Sequence, residues 1–197
     1  MDRPFIVGIG GALRPHSSTE GALRIVLDHA RKLGARTELI AGQALVMPLY
    51  GITEMGEASH HLVETLRMAD GIVIGSPGYH GSLSGAVKNA LDYTEVLRTD
   101  SRPYFDGRAV GCIASAGGMQ AAVQTLNALR GIVHALRGWP TPLGIAFNSS
   151  DVKFHWSEQS VACADSTVQS QLVSLAAQVM GFCRGIESQR SLATATA

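Results

Sequence analysis

Three short polar stretches carry the residue types that could bind and work on a ligand. In the first, Arg14, Ser17, Ser18 and Thr19 stand just ahead of an amphipathic run. A helix start leaves its first N–H groups free and carries the positive end of the helix dipole, so a guanidinium and hydroxyls added there suit a phosphate monoester. Ser17 or Ser18 acting as an ordinary helix cap, with Arg14 in water, explains the same residues taken alone. The second stretch is Gly75-Ser-Pro-Gly-Tyr-His-Gly-Ser, and the third is Ser115-Ala-Gly-Gly. Glycines at 78, 81, 117 and 118 allow a backbone to approach a flat ligand closely and present N–H groups to its polar edge.

These stretches gain meaning from the elements around them. Phe5 to Ile9 and Gly71 to Ile74 are apolar runs that read as buried strands, and Thr37 to Ile40, Ala109 to Ala114 and Pro142 to Phe147 read as three further strands. Helical spacing of apolar residues separates them. Ala22, Leu23, Val26, Leu27, Ala30 and Leu33 share one face, closed by Gly34 as a left-handed stop. Ala58, Leu62, Leu66 and Ala69 mark a second helix, and Leu83, Val87, Ala90, Leu91 and Thr94 a third. Met119 to Leu136 and Val168 to Phe182 supply two more. Strict alternation predicts an α/β fold, a doubly wound parallel sheet with helices on both faces. The three polar stretches then all follow strands at the carboxyl edge, where open sheets of this kind hold ligands. The expected organisation is one domain over residues 1–187 with a frayed tail at 188–197.

Composition limits the partners. Sixteen basic and sixteen acidic residues cancel in a chain of 197, so no charge footprint for nucleic acid or an anionic membrane is visible. No apolar run reaches the roughly 18 residues that span a bilayer. Residues 1–14 lack the pattern of a secretory signal. Three cysteines, Cys112, Cys163 and Cys183, show no metal-like spacing and read as reduced thiols. A soluble, cytoplasmic enzyme is the expectation.

Other nucleotide sites fit poorly. A dinucleotide fingerprint needs a third glycine where Leu13 stands and an acidic residue closing the second strand, where Ala41, Gly42 and Gln43 follow. A phosphate loop of the NTPase kind needs a Gly-Lys-Ser/Thr triplet, which is absent. A phospho-acceptor domain of the same topology needs acidic strand ends, where Gly10 and Ser76-Pro77 lie instead.

Together, Gly75-Ser76-Pro77-x-Tyr79-x-Gly81-Ser82-x-Ser84-Gly85-x-x-Lys88-Asn89-x-Leu91-Asp92, the upstream Gly-x-Leu-Arg-x-x-Ser and the downstream Ser115-x-Gly117-Gly118 resemble the NADPH-dependent FMN reductase family over roughly Phe5 to Phe147. The resemblance implies a flavodoxin-like five-stranded sheet of order 2-1-3-4-5 and assembly as a homodimer or homotetramer. It implies that FMN is bound with its phosphate at Arg14, Ser17, Ser18 and Thr19. Pro77, Gly78, Tyr79, His80, Gly81 and Ser82 would border the isoalloxazine, with Ser115, Gly117 and Gly118 at its other edge. NADPH or NADH would deliver hydride to flavin N5, and a small-molecule acceptor such as free flavin or a quinone, or a flavin-dependent monooxygenase, would receive the electrons. Such transfer asks for stacking and alignment rather than a side-chain acid or base, so no catalytic side chain is expected. Ala12 stands where many relatives carry serine, Gly78 is expected to leave room above the ring, and no extra residue interrupts the helix near Asn127, which favours FMN kept as a prosthetic group. The other functional class on this fold is a flavodoxin-type carrier without NAD(P)H turnover. Carriers of that type use a strongly acidic docking surface, and zero net charge argues against one.

Remaining candidates are weaker. His60 and His61 are adjacent, project differently from a helix, and so disfavour a shared metal. Lys88 and Asp92 fall on one helix face as a surface pair or a subunit contact. Met47 and Tyr50 suit either a donor pocket or a hydrophobic plug, and His155 and Trp156 read as packing or an interface.

Overall fold

The computed structural model describes residues 3–195, with side chains described for 3–186. The chain runs β1 (Phe5–Gly10), α1 (Ser18–Lys32), β2 (Arg36–Ala41), α2 (Glu57–Met68), β3 (Gly71–Tyr79), β4 (Ser82–Leu83) and α3 (Gly85–Asp92). It continues as β5 (Ala109–Ala116), α4 (Met119–Ala135), β6 (Trp139–Pro140), β7 (Ile145–Asn148), β8 (Phe154–Trp156), β9 (Val161–Cys163) and α5 (Ser166–Ala195). The principal strands lie in the order β2-β1-β3-β5-β6, with β7 also on β5. All these pairings are parallel. This is the flavodoxin-like order 2-1-3-4-5, its fifth position shared by two short strands.

Alternation along the strands sends side chains to two separate cores. Phe5, Val7, Ile9, Ile72 and Ile74 join Leu62 and Leu66 of α2, Val87 of α3 and Leu129 of α4. Ile6, Val73 and Ile113 pack with Leu23 and Val26 of α1 and Leu172, Leu175 and Val179 of α5. Each such buried side chain contributes about 1.5–3 kcal/mol, which makes the central strands the most firmly held backbone in the fold. Gly34, at φ +100°, ends α1 as expected.

Four local features differ from the sequence reading. β3 does not turn at Gly75 but runs to Tyr79, so Pro77 and Gly78 are strand residues and the turn is His80-Gly81. Pro77 fits because it pairs only with β5, opposite Ser115, while β1 has already left the sheet at Gly10. The fifth strand is broken: Pro140 and Pro142 remove two N–H donors, and the ladder resumes at Ile145. Leu83 belongs to the short strand β4, and α3 is capped by Ser84, whose hydroxyl accepts from the Val87 N–H. The helical backbone of α5 continues to Ala195, through most of the expected tail, where Gln189, Arg190, Leu192 and Ala193 are good helix formers; residues 196–197 lie outside the described residues.

The cysteines follow their burial. Burial pushes the Cys112 and Cys183 thiols up from 9.0 to about 12, and raises Cys163 less because it is only partly covered. A disulfide reagent at neutral pH is therefore expected to modify Cys163 first, with Cys112 and Cys183 reacting only on unfolding. Because both buried thiols keep their protons where unfolded thiols have lost them, stability contributed by these groups falls as pH rises from about 9 towards 12. Chemical denaturation at pH 7 and pH 10 checks the direction.

Candidate functional site

The first turn is created by two consecutive glycines. Gly10 has φ +129° and Gly11 φ +90°, and the Gly11 N–H donates to the Gly75 carbonyl at 3.0 Å, so β1 and β3 touch at the point where the chain leaves the sheet. The exposed residues 13–16 follow, and Ser17 caps α1. Its buried hydroxyl accepts from the N–H groups of both Ala12 and Glu20, each at 3.2 Å, which holds the turn closed. Ala12 thus takes part through its backbone, and the missing hydroxyl at that position leaves the turn intact.

A single side-chain pair ties this turn to the third strand end. Thr19 Oγ1 and Ser115 Oγ lie 2.7 Å apart, both buried, although the residues are 96 positions apart in sequence. Beyond Ser115, Gly117 is exposed, and Gly118 is the N-cap of α4 with no side-chain cap bond. The Ser149 N–H donates to the Ala116 carbonyl at 2.8 Å and brings the end of β7 to the same edge.

Ala12, Arg14, Ser17, Ser18, Thr19, Pro77, Gly78, Tyr79, Ser115, Ala116, Gly117 and Ser149 enclose one hollow of about 330 Å³. The three strand ends therefore do converge. His80, Gly81, Ser82 and Gly118 are outside its walls. His80 is exposed at φ +52° on the β3–β4 turn, and Gly81 lies over Gln124 of α4. Ala116 and Ser149 are wall residues absent from the expected set, and Ala12, expected only as a missing hydroxyl, joins them. For Ser149 the signal was available, since the fifth strand ends at the same edge as the other three.

The donor set suits a phosphate. Among the described residues, the N–H groups of Ser18 and Thr19 and the Ser18 hydroxyl have no protein partner, and Arg14 is the one charged side chain on the walls. No carboxylate of the described residues lines the hollow. Gly78 differs from its expected role. A Cβ there would point at Thr125 Oγ1, 2.6 Å away, and at the Ala116 Cβ, 3.2 Å away, so a side chain would strike α4 rather than occupy space above a ligand. Thr125 Oγ1 is itself buried without a partner. Thr125→Val removes that unsatisfied hydroxyl at constant shape and is expected to leave stability unchanged or raise it by about 1 kcal/mol, read from urea midpoints.

Around the hollow, Asn89 explains part of the Lys88-Asn89 motif. Its side chain donates to the Pro48 carbonyl at 2.9 Å and accepts from the Tyr50 N–H at 2.9 Å, while Tyr93 Oη also donates to Pro48. The segment after β2 is pinned in this way, with Met47 against the core and Tyr50 edge-on to Tyr93. Lys88 and Asp92 form an ion pair on the exposed side of α3. His61 bonds Glu38 at 2.6 Å, and no cluster of three metal-ligating side chains occurs among the described residues. No helix of the described residues is long and apolar enough to cross a membrane.

Sequence comparison decides the family. The NADPH-dependent FMN reductase profile matches residues 4–151, which include every residue of the hollow. The chain belongs to that family. As an FMN reductase family member it is 40% identical over 100 residues to the FMN-dependent NADPH-azoreductase of Staphylococcus aureus. That aligned stretch covers 51% of this chain and 50% of the azoreductase, so the match spans about half the length of the curated relative. Solved structures share the fold at lower identity. The flavoenzyme NAD(P)H:(acceptor) oxidoreductase FerB from Paracoccus denitrificans has a TM-score of 0.70 at 16% identity, over 92% of this chain and 98% of its own. The apo form of the NADH:FMN oxidoreductase EMOB has a TM-score of 0.66 at 19% identity, over 90% and 88%. FMN and NADPH are the cofactor and co-substrate that define the family.

A larger hollow of about 480 Å³ lies on the far side of the first turn, between α1, β2 and the β8–β9 hairpin. Its walls mix Arg24 and Arg31 with Glu20, Asp28 and Glu38 and include none of the β3 or β5 residues, so its charges do not favour an anionic cofactor.

Proposed function

We propose that the chain is an FMN-dependent NAD(P)H oxidoreductase, with FMN bound in the hollow between the ends of β1, β3 and β5. The observation that carries this reading is the set of unpartnered N–H groups at Ser18 and Thr19, beside Arg14 and in one hollow with the glycine-bearing Ser115–Gly117 turn. Arg14, Ser17, Ser18 and Thr19 hold the phosphate by N–H and charge-assisted hydrogen bonds. Pro77, Gly78 and Tyr79, with His80, Gly81 and Ser82 beyond them, border the ring, and Ser115, Gly117 and Gly118 offer backbone N–H groups to its polar edge. When bound, FMN supplies the redox chemistry, accepting hydride from NADPH or NADH and passing electrons on.

The protein's own part is to orient and expose. The Thr19–Ser115 bond fixes the spacing between phosphate turn and ring turn. Tyr79, about half exposed, stands at the rim and leaves access for a second planar ring. The electron acceptor is a small molecule such as free flavin, a quinone or an azo dye, or a flavin-dependent monooxygenase. The protein works in the cytoplasm as a homodimer or homotetramer, and exposed Leu49, Ile52 and Tyr79 near the hollow's side of the fold suit a subunit contact.

The test is an absorption spectrum of purified protein, titration with FMN and a measurement of NADPH and NADH consumption. Flavin bands with steady turnover support the reading. A protein that binds FMN but consumes neither nicotinamide is a carrier, and one that binds no FMN overturns the site. Arg14→Ala is expected to weaken FMN binding about ten- to a hundredfold, the scale of one lost charge-assisted hydrogen bond of about 1.5–3 kcal/mol. Fluorescence titration reads this directly, and an unchanged Kd would remove Arg14 from the phosphate site.

A further inference from the structure

The β8–β9 hairpin lies outside the stretch matched by the family, yet it sits on the first turns of α1. Phe154 and Trp156 cover Gly21, where a Cβ would come within 2.8 Å of one ring and 3.3 Å of the other. The Trp156 ring stacks on His16 with centroids 4.6 Å apart, and the Arg24 guanidinium lies 5.9 Å from its centroid. His16, at φ +56°, directly precedes the N-cap Ser17. Arg24 grips Glu20, with Nε and Nη2 at 2.9 and 2.8 Å from the same carboxylate oxygen.

This arrangement interrupts a familiar capping pattern. Ser17-x-x-Glu20 has the spacing in which the serine hydroxyl takes the glutamate N–H and the glutamate carboxylate returns to the serine N–H. Only the first half forms, because the carboxylate is turned to Arg24. The Ser17 N–H is thereby left, with those of Ser18 and Thr19, without a protein partner among the described residues. Glu20, a mostly buried acid in the first turn of α1, would otherwise oppose an anion at that helix end.

We propose that the hairpin is a clamp that holds the first turn ready for a phosphate group, acting through Trp156, His16 and Arg24. Arg24 and Trp156 are positioning residues: Arg24 cancels the Glu20 charge and keeps the Ser17 N–H open, and Trp156 fixes Arg24 and His16. The inference rests on the reading of this turn as the FMN phosphate site. Its consequence is slow release of FMN, as befits a retained cofactor.

The clamp acts on the phosphate alone, so it separates FMN from riboflavin, the same ring system without phosphate. Arg24→Ala and Trp156→Ala are expected to raise the Kd for FMN about tenfold, the scale of one uncompensated charge, and to speed its release, while the riboflavin Kd stays within twofold. Adding Glu20→Ala to Arg24→Ala is expected to restore most FMN affinity, since no carboxylate then opposes the phosphate and no side chain at position 20 can return to the Ser17 N–H. Trp156→Phe, which keeps a ring under Arg24, is expected to stay near wild type. Equal losses for both ligands, no loss for FMN, or no recovery in the Glu20→Ala background would overturn the clamp while leaving the phosphate site standing. A wild-type protein that binds no FMN overturns both. Should Trp156→Ala lose its fold, the Arg24 variants decide the matter, because Arg24 is half exposed and its removal leaves the core untouched.

Discussion

Gly10→Ala is expected to abolish folding or to cost more than about 4 kcal/mol, which places it among the most damaging single substitutions in the chain. A methyl group at this position would lie 1.7 Å from the Gly75 carbonyl oxygen, far inside contact distance, and Gly75 is fixed backbone in the middle of the sheet. The carbonyl cannot withdraw, because it accepts the Gly11 N–H and its strand is paired on the other side with β5. The left-handed φ of +129° adds strain for any residue with a Cβ. Gly11→Ala is the internal comparison. Its nearest neighbour would be Glu20 Cβ at 3.4 Å, an ordinary contact, so it carries conformational strain alone, about 1–2 kcal/mol. Urea denaturation of the two variants tests the contrast, and a Gly10→Ala protein within about 1 kcal/mol of wild type would refute the close approach. The approach also shapes the hollow, since it joins the root of the first turn, the one proposed to hold a phosphate, to the strand that carries Pro77, Gly78 and Tyr79.

Most of this site was legible in the sequence because parallel topology does the placing. Once strands and helices alternate, every strand enters from the same end, and Arg14, Pro77 and Gly117 must share the opposite edge without any knowledge of their side-chain contacts. What sequence could not supply were the contacts made by rotamer and register. The Thr19–Ser115 bond joins two ordinary hydroxyl residues, and nothing in either local pattern names its partner. Pro77 and Gly78 are turn formers by local preference, yet they lie in strand because Pro77 pairs with Ser115 of β5, Gly78 pairs with Leu83 of β4, and β1 makes no demand for a donor there. Gly78 was read as open space towards a ligand, whereas its bare side faces Thr125. The hairpin at Phe154–Cys163 was hidden by its brevity, three residues a strand around a polar loop, and only its packing on Gly21 gives it a role.

Arg108→Met is expected to cost about 2–4 kcal/mol, although the residue sits in a stretch that reads as a polar loop and start of strand. Arg108 is among the most buried side chains in the fold. It faces no carboxylate at bonding distance; its guanidinium donates to the carbonyls of Ala69, Tyr104 and Arg67, each at 2.8 Å. Two of these are terminal carbonyls of α2, so the side chain caps that helix with positive charge where the dipole favours it. The same bonds fix the approach to β3, since Asp70 follows directly and exchanges hydrogen bonds with Phe5 at the start of β1. Burial, with the nearby Arg102 charge, pulls the Arg108 pKa down to about 10, which leaves it charged at neutral pH. The unfolded chain holds that proton more tightly, so the buried charge alone opposes folding below about pH 10, and the carbonyl bonds must offset it. Methionine fills the volume but leaves the Arg67 and Tyr104 carbonyls without a donor, each worth about 1–3 kcal/mol when buried. Lysine keeps the charge but not the planar fork, and is expected to fall between the two. Urea midpoints for Arg108→Met and Arg108→Lys measure the difference, and a methionine variant within about 1 kcal/mol of wild type would mean that water replaces the guanidinium at these carbonyls.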